Sequence, residues 1–147
     1  MIGTLLSDQK RQLAKQREWL EYSLRECREI KLKNEYTVEE YGRFETLAAR
    51  YGRTIDFLIR KLFRTLDAYE FENQGTLIDT VNHAHKRGLF EDVELLREMK
   101  ELRNTLVHEY VEEKLQETFT DLLEFTPKLL EICDRTLEYI EKKVETE

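Results

Sequence analysis

The sequence predicts an all-α fold: an up-and-down bundle of four main helices plus one short helix, forming a single domain over residues 1–147. Three observations predict it. Charged residues make up 37% of the chain beside 40% hydrophobic ones, a balance suited to amphipathic helices around one core. The chain has 5 Gly and 1 Pro, too few to supply the turns of a β fold. Apolar residues recur at helical spacing over long stretches joined by short connections, which makes chain neighbours antiparallel.

Ser7 suits the N-cap of a first helix running to about Asn34, with Leu13, Leu20, Leu24 and Cys27 in a narrow arc. Asn34 to Thr37 form a connection, and Thr37 with Glu40 makes a capping box that opens a second helix over roughly 38–70. Phe44, Leu47, Tyr51, Ile55, Leu58, Leu62 and Leu66 stay within about 100° of one another and form its core face. A separate arc of about 100° carries Arg43, Arg50, Arg53, Arg60, Lys61 and Arg64, with Phe57 interleaved and no acid between residues 43 and 64. Such an arc is either a solvated face paired with the acidic last helix or an electrostatic track for an RNA backbone.

Residues 71–75 (FENQG) interrupt the pattern, and Thr76 with Asp79 opens a short third helix containing Leu77, Ile78 and Val81. Lys86 and Arg87 suit its negative end, Gly88 supplies a left-handed C′ residue, and Leu89 adds the accompanying hydrophobic contact. His83 and His85 are two apart on this helix and face different ways, so they do not make a metal pair. A fourth helix begins near Glu91 or Asp92 and ends at or just after the stretch 103–110. The last helix, about Gln116 to Val144, keeps Phe119, Leu122, Leu123, Leu129, Leu130, Cys133, Leu137 and Ile140 on one side, with a kink expected at Pro127.

No apolar run approaches the roughly 18 residues needed to span a bilayer, so a soluble cytoplasmic protein is expected. Cys27 and Cys133 fall on apolar faces without CxxC spacing and are expected as buried free thiols. The net charge is -7, unevenly distributed. Residues 1–90 hold 16 Lys+Arg against 14 Asp+Glu (net +2), and residues 91–147 hold 8 against 17 (net -9). Indiscriminate nucleic-acid binding is thereby disfavoured.

The stretch Arg103 to Tyr110, RNTLVHEY, concentrates chemistry in little more than two helical turns. Arg103 falls in the apolar arc of Leu96, Met99, Leu106, Val107 and Tyr110, where a guanidinium that cannot discharge demands an anionic partner or ligand. A snorkelling or interhelix ion-paired arginine meets that demand structurally, and an anionic substrate meets it functionally. Asn104 and His108 are four apart and can hydrogen-bond, which would fix the imidazole. Arg103 and His108 lie about 140° apart on a continuous helix, so a shared site needs a helix end near Val107 or a second chain across a two-fold axis. The residue types suit phosphodiester chemistry without a metal or cofactor: Arg103 on the phosphate, and His108 moving the proton of an RNA 2′-hydroxyl or of the leaving 5′-oxygen.

RNTLVHEY resembles the Arg-Asn-x3-His signature of the HEPN domain, and with Tyr110 the Arg-x4-His-x-Tyr form of HepT toxins. The specific part of the likeness is these eight residues. It implies a HEPN-like bundle working as a homodimer with a composite cleft. Arg103 and His108 would be the ribonuclease residues and Asn104 their polar support. It also implies a minimal nucleotidyltransferase antitoxin as partner, which neutralises such toxins by transferring AMP to the motif tyrosine, here Tyr110. Related HEPN proteins resemble a second kind of partner, a non-catalytic module that presents substrate to a nucleotidyltransferase. Glu109, Glu112 and Glu113 beside the motif oppose unaided RNA affinity.

Overall fold

Both expected capping boxes form, because each pairs a threonine hydroxyl with an N3 carboxylate. Thr37 Oγ1 accepts from the Glu40 amide and the Glu40 carboxylate accepts from the Thr37 amide; Thr76 and Asp79 do the same. The computed structural model describes residues 1–70, 75–108 and 114–143, and of His108 the backbone. Its helices are α1 (Ile2–Arg28), α2 (Val38–Phe57), a π turn (Leu58–Leu62) continuing into α3 (Phe63–Tyr69), α4 (Leu77–Lys86), α5 (Val93–His108) and α6 (Leu115–Lys143). With α2, the π turn and α3 forming one continuous rod, the described residues make five helices and no strand. None of these helices is long and apolar enough to cross a membrane.

The helices surround one core. α1 packs on α2 and α6, α2 packs on α5 and α6, and α4 closes against α3 and α5. Ala48 and Leu106 line one groove at one end of the seam between the α2 rod and α5, and Ile59 and Leu96 line another at the other end, so the two run antiparallel. Phe44 of α2 stacks on Phe119 of α6 at 4.0 Å between ring centroids, and Tyr51 donates from its buried hydroxyl to the Met99 carbonyl at 2.8 Å. The first joins α2 to α6 and the second α2 to α5.

α1 begins at Ile2, not after Ser7, because fully buried Leu6 extends the stripe of Leu13, Leu20 and Cys27 by another seven residues. It stops at Arg28, short of Asn34: the chain turns, the Ile30 amide reaches the Cys27 carbonyl at 3.0 Å, and Ile30 tucks inward. At the end of α4 the expected cap is complete. Gly88 has φ 79, its amide meets the His85 carbonyl at 2.9 Å, and the amide of buried Leu89 meets the Ala84 carbonyl at 3.3 Å. Asp92 accepts from the Glu94 amide at 2.9 Å where α5 starts. α6 runs uninterrupted through Pro127. Cys27 and Cys133 are buried free thiols, and burial pushes both up to about 12, so neither ionises at neutral pH.

The π turn corrects the expectation of one basic stripe along 38–70. The Phe63 amide bonds five residues back to the Leu58 carbonyl, so one extra residue is wound in and everything after it rotates by about 100° relative to an α-helix. Phe63 and Asp67, which an ideal helix turns away from the core face, are fully buried. Arg64 correspondingly leaves the arc of Arg43, Arg50 and Arg53. Phe57, expected among the arginines, is buried at 6% exposure.

Asp67 is the centre of a polar network inside this corner. Its Oδ2 lies 3.0 Å from His83 Nδ1, and its Oδ1 lies 2.8 Å from Arg87 Nη1. The latter contact is a close ion pair whose angle misses hydrogen-bond geometry, and neither atom has a hydrogen bond to the other described residues. Arg87 Nε also donates to Glu70 at 2.6 Å, and Glu70 accepts from the Tyr139 hydroxyl at 2.8 Å. Burial works against the Arg87 charge, but Asp67 and Glu70 more than offset it and hold its pKa above the ordinary value. Arg87 is thus a structural tie between α3, α4 and α6 rather than only a dipole-complementing surface cation. His83 serves this network, and His85 instead meets the Glu91 carbonyl at 3.0 Å.

Candidate functional site

Arg103 receives its anionic partner from within the chain. Its Nε and Nη2 donate to one oxygen of Asp56, at 3.0 and 2.7 Å, across the α2–α5 seam. Nη1 reaches Asn104 Oδ1 at 3.3 Å. A guanidinium carries five N–H donors; Asp56 takes two and Asn104 one, so two are not used by described residues. The Arg103 side chain is 24% exposed and that of Asp56 31%, a half-wet pair rather than a sealed one. Tyr51 clamps α2 to α5 one turn before Arg103, which sets the height at which the arginine meets Asp56.

The pair forms part of the wall of an open groove of about 470 Å³ between α2 and α5. Ala48, Ala49 and Gly52 make one side of it shallow, Leu106 and Val107 line the other, and Glu45 and Arg53 complete the rim. A Cβ at Gly52 would lie 3.5 Å from Arg103 Cγ, an ordinary contact, so small side chains suffice there. Val107, expected on the apolar stripe, is 55% exposed in this groove, and Asn104 is exposed beside it. Two acids, Glu45 and Asp56, face two arginines, Arg53 and Arg103, leaving the groove near electrical balance.

α5 remains helical as far as His108, whose backbone stands one turn beyond Asn104 on the same helix face. The described helix thus holds positions 103 and 108 about 140° apart, and within it the chain does not bring them together. The His108 side chain and all of Tyr110 lie outside the described residues, as do the acids Glu109, Glu112 and Glu113.

Of the expected basic track, Arg53 is at the groove, Arg50 is engaged toward α1, and Arg43 lies between an acid of its own helix and one of α1, neither of them on the acidic α6. Arg43 pairs with Glu39 at 3.2 Å and Glu26 at 3.9 Å. Arg50 donates to Ser23 Oγ at 2.6 Å and to the Trp19 carbonyl at 3.1 Å, with its guanidinium 5.0 Å from the indole centroid. Arg60 and Lys61 are exposed on the π turn.

Sequence reasoning missed Asp56. Its signal was position: about 40° outside the basic arc, on the strip of Ala49 and Gly52 where nothing bulky blocks a neighbouring helix. The chain matches no family model, no curated protein and no solved structure in comparisons with known proteins.

Proposed function

We propose that this protein is a metal-independent endoribonuclease toxin of the HepT-like HEPN kind, a cytoplasmic homodimer whose cleft is completed by a second chain. The observation that carries the reading is Arg103. It is gripped by Asp56 and Asn104 at the wall of an open groove, oriented and partly wet, with donors to spare for a phosphate. RNTLVHEY supplies the remaining groups beside it in the sequence.

In the reaction, His108 takes the proton from an RNA 2′-hydroxyl. The resulting oxygen attacks the adjacent phosphorus, Arg103 stabilises the charge building on the phosphoryl oxygens, and the P–O5′ bond breaks as His108 gives the proton to the leaving 5′-oxygen. The products are a 2′,3′-cyclic phosphate and a 5′-hydroxyl. Because one helix sets positions 103 and 108 well apart, His108 acts with an Arg103 across the two-fold axis. A minimal nucleotidyltransferase antitoxin neutralises the toxin by placing AMP on the Tyr110 hydroxyl.

His108→Ala is expected to keep the fold and the dimer while losing RNA cleavage and growth inhibition; full toxicity in that variant would sink the proposal. Intact-mass measurement of the protein, made alone and with the nucleotidyltransferase, is expected to show added AMP localising to Tyr110 in the second case. The charge balance of the groove favours one further reading, a non-catalytic module that helps a nucleotidyltransferase present its substrate. That reading requires no cleavage by the wild-type protein at high concentration, an unmodified mass and a tight complex.

A further inference from the structure

The groove is near neutral and Arg43 is consumed by Glu26 and Glu39, so charge alone supplies little hold on a polyanion. A single strand can instead be held by stacking its bases on aromatic faces flanked by cations. The α1–α2 ridge beside the groove has that composition. Trp19 is 47% exposed and Tyr22, one turn further along α1, is 48% exposed. Arg50 lies 5.0 Å from the Trp19 ring centroid and Lys15 Nζ 6.0 Å. Arg50 is held still by Ser23 and the Trp19 carbonyl, so the cation–aromatic arrangement is built before any ligand arrives. A scattered exposed aromatic needs no explanation. Two in successive turns, each about half exposed and the first flanked by Arg50 and Lys15, match the requirement of an unpaired base.

We propose that Trp19 is a stacking platform for an unpaired RNA base, from which Arg50 and Arg53 lead the strand to the groove at Arg103. Arg50 and Arg53 are one turn apart on α2, the first touching Trp19 and the second lining the groove, so platform and groove are continuous. The platform rests on the ribonuclease reading and names how that site holds its substrate: by a single-stranded segment adjacent to the scissile bond, not by a duplex, whose bases are already stacked on one another.

The chain contains 1 Trp, so tryptophan emission reports position 19 directly. The full chain is titrated with a short, dye-labelled, 2′-O-methylated strand of mixed sequence, which 2′-hydroxyl attack cannot cleave, and with the same strand annealed to its complement. The single strand is expected to quench Trp19 in step with the rise in its anisotropy, and the duplex is expected to leave emission unchanged. Trp19→Ala is expected to weaken single-strand binding by about tenfold without altering its salt dependence, Trp19→Phe to retain most of the affinity, and Arg53→Ala to lower the salt slope by about one. Circular dichroism establishes that the variants are folded; if Trp19→Ala is not, the wild-type quenching and Trp19→Phe decide. Tight strand binding without quenching, and undiminished in Trp19→Ala, would overturn the platform while leaving the ribonuclease reading intact. Emission that follows protein concentration instead of RNA would mean a second copy covers this face, and would also overturn it. No binding of either probe, with no cleavage of RNA, would overturn both.

Discussion

Arg103→Ala is expected to lower RNA cleavage by about 10²- to 10³-fold while leaving the protein folded, the loss that follows from deleting one positioned donor to a charge that grows in the transition state. Stability should change little, because the lost partner Asp56 is 31% exposed and can rehydrate. Arg103→Lys discriminates further. It keeps a cation but loses the two-point grip of Nε and Nη2 on Asp56, so the charge would no longer be aimed and most of the activity should go with it. Asp56→Asn tests the same positioning from the other side: Arg103 stays cationic but swings, and kcat should fall more than KM rises. Single-turnover cleavage of a labelled RNA, beside a thermal melt of each variant, measures both quantities. An Arg103→Ala protein that cuts RNA at the wild-type rate would reduce the Arg103–Asp56 pair to an interhelix tie.

Asp67→Ala is expected to cost about 3–5 kcal/mol of stability, because it removes the carboxylate that faces a buried cation. The Arg87 side chain is 8% exposed, and its Nη1 has Asp67 as its close anionic neighbour. Glu70 holds only the Nε edge and sits 32% exposed, so it cannot fully replace the lost carboxylate. The midpoint of thermal unfolding should drop by on the order of 10 °C. Asp67→Asn retains shape and one hydrogen-bonding oxygen and should lose less. Urea melts of the two variants and of Arg87→Met, which leaves the fully buried Asp67 carboxylate with His83 alone, separate charge burial from packing: Asp67→Asn should be the mildest of the three. Equal stability of Asp67→Ala and wild type would show the network to be idle.

What could be read from the sequence was whatever depended on neighbours in the chain. Thr37 with Glu40, Thr76 with Asp79, and Gly88 with Leu89 are local devices, and each forms as its spacing requires. The helical fold and the core faces of α1, α2 and α6 follow from periodicity in the same way. Two kinds of information were missing. Asp56 and Trp19 acquire meaning only from another helix, Arg103 in one case and Arg50 in the other, and no spacing along the chain pairs them. Arg64 was misplaced, and the burial of Phe63 and Asp67 was not legible, because a helical wheel assumes a constant angle per residue, and the bond from Phe63 to Leu58 breaks that assumption. Arg103 itself was legible as an unusual cation; that its demand is met first by Asp56 was not.

The same π turn makes one rod serve two independent ends. Asp56 and Asp67 are eleven residues apart, about 16 Å along the helix. They belong to separate ion pairs, one with Arg103 and α5, the other with Arg87 and α4. At such a separation, with no partner in common, free-energy changes at the two ends add. Substitutions that retune the groove therefore draw nothing from the interior that secures α4, and the groove is free to diverge in specificity while the rest of the rod holds its register.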